Sequence, residues 1–334
     1  GNWDFQFCNN NHETPFLDEF VLKKLKNQKQ QNIWPKNAQF AVHLSHDFDR
    51  FTLYSPKNQI RRELKILLNG NIKKKFISIL RIVKDSVKHF FYFQQDELWH
   101  YEKWFNLEDS HKVKSTNYFY IHPGILDCKI EDCDYKMSDK IKYNNKETTI
   151  SDFINYIKNS GYEIGLHGSF KTFNSNKLFR KQKKQLETIT GQNITCTRQH
   201  YLHFKWNDTI NTQGHNNIQC DSSLGFNKGI GFRAGTSYPY LIETHDNKFV
   251  LEIPLIIMDS ALRISCGNDL NQMYLKSTSL IDKVEKCGGC ITLNFHPDYI
   301  NTHLFKLYEM LLEYLSKKNC VFLNTKEIYE LCVE

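Results

Sequence analysis

Residues 151–169, SDFINYIKNSGYEIGLHGS, contain one complete unit of the helix and strand alternation that decides the fold. Ser151 or Asp152 can accept a backbone N–H and begin a helix, and Gly161 can end it, because glycine adopts the left-handed conformation at no steric cost. The apolar run that follows ends in His167. The stretch therefore predicts a helix, a turn and a short strand that delivers a histidine into a loop.

The same alternation continues from residue 38 to the C terminus. Further strands are predicted at 41–45, 117–122, 194–198, 217–223, 251–259, 290–297 and 320–324. Helices are predicted at 58–68, 72–88, 96–105, 176–190, 206–213, 269–286 and 303–318, with a last helix at the end. About seven strands that alternate with helices predict an α/β fold, a (β/α) barrel that is irregular or incomplete. We interpret residues 38–334 as one domain and residues 1–37 as an N-terminal extension that packs on the barrel.

The chain has 334 residues, is 40% hydrophobic and carries a formal net charge of +7. Much of the Lys and Arg lies along helical stretches such as 57–76 and 176–187, which favours solvated helix faces. Attraction to an anionic glycan, a lipid carrier or a membrane surface stays open. Nucleic-acid binding is not expected, since no RNA- or DNA-binding motif accompanies the dispersed charge. The polar insertion at 127–148 is interpreted as a surface excursion, with a lid or a substrate-contacting loop as the alternative.

Ten cysteines in a chain of this length do not make a dense disulfide framework, and several lie in apolar stretches. Cys287-Gly-Gly-Cys290 has redox or metal spacing, but its glycines fit the end of a helix and the start of a strand. No signal peptide or transmembrane segment is recognised, so a reducing, bacterial cytoplasmic location is expected.

Polar residues follow the predicted strands one after another. In a (β/α) barrel the active site lies at the C-terminal ends of the strands, so these residues are expected to converge. They are Asp47 and Asp49, His167, Arg198 with His200 and Tyr201, Asp221, Arg233, and His296. Alternation along a strand would point Asp47 and Asp49 to one side, which suits a general base and a metal ligand. His167 is positioned as a ligand for a divalent metal.

This order of motifs resembles the polysaccharide deacetylase family, also called the NodB-homology or carbohydrate esterase family 4 group, over roughly residues 38–330. The resemblance implies a hydrolase that removes an N- or O-acyl group, expected to be acetyl, from a sugar or glycan. Asp47 resembles the catalytic base, Asp49 the metal-binding Asp, and His296 in Leu-Asn-Phe-His the general acid. Arg198 and Arg233 are expected to orient the catalytic groups. Tyr201, His200 and Asp221 are expected to contact or orient the substrate.

The family resemblance also implies a divalent metal ion, expected to be zinc, and a divergent branch associated with bacterial surface-polysaccharide gene products. Two positions depart from the family pattern. After His167 the second metal-binding His is absent, with Lys171 or Thr172 in its neighbourhood, and His200 replaces the Pro of the third motif. The missing ligand is assigned here to His46, while His200 and His203 stay open.

Two other functions stay open beside the metal-assisted deacetylase. The missing histidine favours a metal-independent hydrolase of another amide or a cyclic ureide on the same fold. A catalytically inactive glycan-binding relative would keep the cleft without the chemistry, although the joint presence of Asp47, Asp49, His167 and His296 speaks against it.

Overall fold

A computed structural model describes residues 11–24, 32–53, 60, 63, 66–68, 70–92 and 96–333. The helices in these ranges are α1 (Phe16–Lys24), α2 (Ile72–Tyr92), α3 (Glu102–Ser110), α4 (Ile150–Asn159), α5 (Asn176–Thr190), α6 (Trp206–His215), α7 (Asp259–Cys266), α8 (Leu270–Cys287), α9 (His303–Leu315) and α10 (Thr325–Val333). The strands are β1 (Phe40–Phe48), β2 (Thr116–Tyr120), β3 (Lys140–Tyr143), β4 (Lys146–Thr149), β5 (Glu163–Gly168), β6 (Cys196–Gln199), β7 (Cys220–Asp221), β8 (Tyr240–Glu243), β9 (Phe249–Glu252), β10 (Ile257–Met258), β11 (Cys290–Asn294) and β12 (Cys320–Phe322).

Ten strands form one curled, open sheet with helices around it. Their order is β10, β11, β1, β2, β5, β6, β7, β9 and β8, and β12 pairs with the start of β1. The neighbouring strands run parallel, except that β8 is antiparallel to β9. Within the described ranges β8 and β10 are the two ends of this order, so the barrel does not close. The predicted incomplete (β/α) barrel is therefore confirmed.

More strands are present than the expected seven, partly because the four-residue strands β3, β4 and β8 were not predicted. The run at 251–259 was predicted as one strand, but it forms β9 and β10, which pair with different neighbours, β7 and β11. Helix 96–105 was placed too early, since α3 begins at Glu102. Most of the predicted helix 58–68 lies outside the described residues. Gly288 ends α8 with a φ of 81° and β11 begins at Cys290, as expected for the glycines between the two cysteines.

Residues 11–24 lie against the loop that precedes β8. The carboxylate of Asp18 is buried and accepts hydrogen bonds from Thr236 Oγ1, Ser237 N and Ser237 Oγ at 2.5–2.7 Å. The carbonyl oxygen of His12 accepts the backbone N–H of Phe232. These contacts are of the kind expected of an extension that packs on the barrel. Among the described residues, no helix combines the length and apolar character needed to cross a membrane.

A buried carboxylate joins α3 to the sheet and to α9. Glu108 is fully buried, and its Oε1 accepts from Tyr308 Oη at 2.6 Å and lies 2.8 Å from His46 Nε2. Its other oxygen accepts from Ser115 Oγ at 2.9 Å. Removal of the carboxylate would leave three buried polar groups without this partner, and each such group carries the full cost of its desolvation.

We expect Glu108→Ala to lower the free energy of unfolding by about 3 kcal/mol or more, measured by urea denaturation with unchanged slope. Glu102→Ala in the first turn of the same helix is the control, and we expect it to cost less than about 1 kcal/mol. Equal losses in the two variants would show that the buried carboxylate does not have this structural role.

Candidate active site

The C-terminal edge of the sheet surrounds a cleft of about 650 Å³. Its walls include Asp47, Asp49, His167, His200, Tyr201 and His296, together with Glu131 and Tyr299. Parallel strands end at the same edge of a sheet, which is why residues as distant in the sequence as Asp47 and His296 meet here. The structure therefore brings together six of the residues that the sequence singled out, and it places Arg198 directly behind them.

Asp47 lies at the bottom of the cleft and is held from two sides. Its Oδ1 accepts from Arg198 Nη1 at 2.9 Å, and its Oδ2 accepts from Asn294 Nδ2 at 2.9 Å. Burial alone would raise the pKa of this carboxyl, but the Arg198 guanidinium, with a smaller effect from His167 and His296, lowers it below its usual value. Asp47 is therefore an ionised carboxylate at neutral pH, with both oxygens in fixed positions.

Arg198 is fully buried, and its contacts come from the neighbouring strands β1 and β2 and from the residue that follows β7. Nε donates to the carbonyl oxygen of Ser222 at 2.8 Å, Nη2 to Ser222 Oγ at 2.9 Å and Nη1 to Ser45 Oγ at 2.9 Å. The guanidinium also lies over the ring of Tyr118, 4.5 Å from its centroid. A buried arginine needs this number of partners because an unpaired buried charge is very costly.

Three possible metal ligands lie on the other side of the cleft. His167 Nε2 is 3.3 Å and His200 Nδ1 is 3.4 Å from Asp49 Oδ1, and the two ring nitrogens are 2.8 Å apart. Although burial opposes it, the His200, His167 and His296 rings hold the pKa of Asp49 well below its usual range. Of the groups of His, Cys, Asp and Glu in the described part of the chain, this one has the geometry to hold a metal ion.

The hydrogen bonding of His200 shows whether these residues fit a metal. His200 Nε2 lies 2.7 Å from the carbonyl oxygen of Glu131. A carbonyl only accepts, so Nε2 carries a proton and Nδ1 is the ring atom directed at Asp49 and His167. Although burial opposes it, Asp49 raises the pKa of His200, so a metal ion bound at Nδ1 would displace a proton from that atom. A hydrogen bond from the remote ring nitrogen to a backbone carbonyl is the usual support of a metal-binding histidine. Two imidazoles and one carboxylate are ligands that zinc and related divalent ions accept, so the residues fit.

His296 stands opposite these ligands and is paired with an aspartate. Its Nδ1 is 2.6 Å from Asp259 Oδ1, its backbone N–H donates to Asp259 Oδ2 at 2.7 Å, and its Nε2 is 3.8 Å from Asp49 Oδ2. Burial would lower the pKa of the imidazole, but Asp259, with Asp49 and Asp47, raises it to about 10. The ring is therefore a proton donor at neutral pH, with Nε2 on the side of the cleft.

The backbone at the rim of the cleft is in an uncommon conformation. In the turn after β6, Tyr201 and Leu202 have φ values of 59° and 50°, which residues other than glycine rarely adopt. Asn227 Nδ2 donates to the carbonyl oxygen of Tyr201 at 2.9 Å and supports this turn. The turn buries the ring of His200 beside the possible metal ligands and leaves the ring of Tyr201 half-exposed at the rim of the cleft. Such strain is typical of functional sites.

Three of the residues chosen from the sequence lie elsewhere. His46, assigned as a metal ligand, is buried on the other face of β1, where Nδ1 lies 2.6 Å from the Phe295 carbonyl oxygen and Nε2 faces Glu108. Arg233 donates to the Gly225 carbonyl oxygen and lines a second pocket with Trp206, and it is not the cation on Asp47. Asp221 is fully buried and accepts from Gln213 Nε2 and from Ser223.

Sequence reasoning missed three residues of this site. Asp259 ends the apolar run LEIPLIIMD, so its position at a strand end was the available signal. Asn294 is the last residue of β11, and no sequence pattern distinguishes it from a structural amide. Glu131 belongs to the insertion at 127–148, whose backbone forms one wall of the cleft. The insertion thus contacts the site, in agreement with the alternative to a plain surface excursion.

No family model matches the sequence, and no curated protein matches it significantly. Among solved structures, a Mycobacterium smegmatis protein provisionally named a polysaccharide deacetylase aligns with a TM-score of 0.56 and 13% identity, over 89% of this chain and 91% of that chain. This chain has the polysaccharide deacetylase fold. Two further structures align with lower scores. A pseudoenzyme of the CE4 family from Bacillus anthracis has a TM-score of 0.38 and 12% identity, over 88% of this chain and 66% of that chain. A peptidoglycan N-acetylglucosamine deacetylase has a TM-score of 0.43 and 11% identity, over 89% and 90%.

Within this polysaccharide deacetylase fold, His200 supplies a second imidazole beside Asp49, although the second histidine expected after His167 is missing. The neighbourhood of that residue is taken by Thr172, which is buried and donates to the Ser169 carbonyl oxygen and to Gln199 Oε1. The imidazole at the site comes instead from the turn after β6. His203 does not take part, because its Nδ1 lies 3.0 Å from the Phe170 carbonyl oxygen and its ring packs on Phe173.

We expect His200→Ala to weaken zinc binding by at least ~100-fold, because it removes one of the three ligand atoms. The measurement is isothermal titration of the metal-free protein with zinc. His203→Ala, a histidine three residues further along, is the matched control and is expected to bind zinc like the wild type. If His46→Ala lost zinc while His200→Ala kept it, the original assignment of His46 would be right.

Proposed function

We propose that this chain is a metal-assisted hydrolase that removes an acyl group, expected to be acetyl, from an N- or O-acylated sugar or glycan. The proposal rests on the convergence of two side-chain pairs and one group of three side chains at one cleft. These are Asp47 with Arg198, the triad of Asp49, His167 and His200, and His296 with Asp259. Acyl transfer to water needs a base, a means to polarise the carbonyl, and an acid, and each group suits one of these tasks.

Asp47 is the proposed base. It is ionised, it reaches the cleft, and its two oxygens are fixed by Arg198 and Asn294, so it can take a proton from an attacking water without reorientation. Arg198 does not face the substrate, because its donors are occupied by Asp47, Ser45 and Ser222. We infer that it holds Asp47 in position and in the charged form.

Asp49, His167 and His200 are the proposed ligands of a divalent ion, with zinc as the first candidate. When bound, such an ion would supply Lewis-acid polarisation of the acyl carbonyl and of the attacking water. The chain fixes the direction of the ligands through the Glu131 carbonyl on His200 and through the strand ends that carry Asp49 and His167.

His296 is the proposed acid. Asp259 binds Nδ1 and thereby leaves the proton on Nε2 directed at the cleft, where the leaving amine or alcohol would depart. The buried pair keeps the ring protonated when the substrate arrives, and proton donation in the transition state typically contributes 10²–10⁴-fold to a rate.

The shape of the cleft favours a sugar. It is open, about 650 Å³ in volume, and presents the rings of Tyr201 and Tyr299 beside polar groups such as Lys228 and Asn227. Aromatic faces stack on sugar rings, and polar groups select among hydroxyls. A role in bacterial surface-polysaccharide synthesis in the cytoplasm remains the expectation from the sequence.

We expect Asp47→Asn and His296→Ala each to lower the rate of acetate release by ~10²–10⁴-fold, because each removes one proton-transfer step. The assay uses purified protein with oligosaccharides of N-acetylhexosamines and with O-acetylated sugars. Circular dichroism and the denaturation midpoint report whether the fold is intact. His203→Ala serves as the histidine control with wild-type activity.

The same assay separates the competing functions. Hydrolysis of small cyclic amides but not of acetylated sugars, with activity that survives a chelator, would favour the metal-independent hydrolase. Binding of the oligosaccharides without release of acetate in any metal-loaded sample would favour a glycan-binding protein. Full activity in Asp47→Asn would remove the proposed base.

The Asp259 pair also makes a prediction for the pH profile. Since Asp259 raises the pKa of His296, Asp259→Asn lowers it, and the protonated acid is lost at a lower pH. We therefore expect the alkaline limb of kcat/KM to move to lower pH by at least about one unit in Asp259→Asn. An alkaline limb that stays in place would mean that His296 does not set it.

A further inference from the structure

Helix α2 carries an apolar stripe on its solvent-exposed side. Ile72, Phe76, Leu80, Val83 and Val87 are all exposed, with exposed fractions from 49% at Val87 to 88% at Ile72. At 100° per residue they fall within about 80° of arc on one side of the helix. A surface helix of a globular protein normally places such a stripe against the core, whereas the stripe of α2 is exposed to solvent.

The side of α2 that faces the protein is largely polar. Ser78 is buried and donates to the carboxylate of Glu63, and Lys75, Ile82 and Ser86 are partly covered. The helix is therefore held by hydrogen bonding on one side, while its apolar side chains stay in contact with solvent. Contiguous exposed apolar surface of this kind marks an interaction surface.

The charges of α2 decide which partner suits the stripe. The helix contains six Lys and Arg and a single Asp. Lys73 and Lys84 are exposed and lie next to the stripe, at its edge on the helical wheel. A second copy of this chain would bring the same positive charge against it, so like charges oppose self-association through this face. A partner with an apolar layer and an anionic surface matches both the apolar stripe and the positive charge of α2.

The position of α2 relates it to the cleft. The connection that contains it begins after β1, where Arg50 lines the cleft, and it returns at Asp96. Asp96 accepts from Thr52 Oγ1 and from the backbone N–H of Leu53, which closes the base of this excursion. After the neighbouring strand β2, Ile125 and Leu126 are almost fully exposed as well. Ile125 and Leu126 thus add exposed apolar side chains at the edge of the sheet that holds the cleft.

We propose that α2 binds the surface of an anionic phospholipid membrane, with its apolar stripe in the interfacial layer and its cations on the lipid headgroups. An amphipathic helix with cations beside an apolar face binds in this way, in the plane of the membrane. The proposal goes beyond the deacetylation and does not depend on it, because vesicle binding is measured without a substrate.

The test is co-sedimentation of the full chain with phosphatidylcholine vesicles that contain or lack phosphatidylglycerol. We expect binding to the anionic vesicles, little binding to pure phosphatidylcholine, and a loss of at least ~10-fold in the partition coefficient at high salt, since salt screens exposed charges.

Two pairs of variants separate the stripe from the charge. Phe76→Ser with Leu80→Ser should weaken the partition by at least ~10-fold, while Leu275→Ser, an exposed leucine on α8, should not change it. Lys73→Gln with Lys84→Gln should weaken it by roughly 20-fold. The charge-matched control is Lys317→Gln with Lys326→Gln, two exposed lysines that flank β12, which pairs with the start of β1. These four substituted stripe and charge positions are exposed, so the fold should be retained.

Three results would overturn the proposal. They are absence of wild-type binding to the anionic vesicles, equal binding by the Phe76→Ser and Leu80→Ser double variant, and a dimer in solution that this double variant converts to a monomer. The last would show that a second copy covers the stripe. Vesicle binding and acetate release are independent measurements. The Phe76→Ser and Leu80→Ser double variant should therefore lose vesicle binding but still release acetate in solution. Asp47→Asn should lose acetate release but still bind the vesicles.

Discussion

The buried Arg198 guanidinium is the constraint on which the site depends. It belongs to β6 and joins this strand to three others. It contacts Ser45 and Asp47 on β1 and Ser222 directly after β7, and it lies over the ring of Tyr118 on β2. A charge that is wholly removed from water is tolerated only when its donors are satisfied, so these strands must end in register. The register that satisfies Arg198 also fixes the position of Asp47, and the other groups of the cleft are arranged around it.

The sequence was sufficient for the fold and for about half of the site because both follow from one rule. Where a parallel strand ends, the chain turns into the cleft, and Asp47, Asp49, His167 and His296 all occupy such positions. The open sheet followed in the same way from the alternation of helices and strands. Strands such as β8, with four residues, and β10, with two, are too short to show a sequence period, and the number of strands was therefore underestimated.

The errors have physical causes that particular residues illustrate. His46 adjoins Asp47, but successive side chains of a strand point to opposite faces, so the period that joins Asp47 and Asp49 directs His46 toward Glu108. Asp221 adjoins Ser222, and it points away from Arg198 for the same reason. His200 lies in a turn with a left-handed residue, where no period applies, and its place beside Asp49 could not be read from the sequence. A metal site constrains the positions of atoms, and different segments can supply them.

The backbone carbonyl in the wall of the cleft affects which sequence changes this segment can accept. The contact that orients His200 comes from the main-chain carbonyl of Glu131. A substitution of the Glu131 side chain would therefore keep this contact. The length and path of the excursion between β2 and β4 are not free in this way, since a deletion or insertion would move the carbonyl oxygen. Natural variants and engineered chimeras should therefore accept substitutions in this segment more readily than changes in its length, and an exchange of the whole segment between relatives would need to preserve its spacing to the turn after β6.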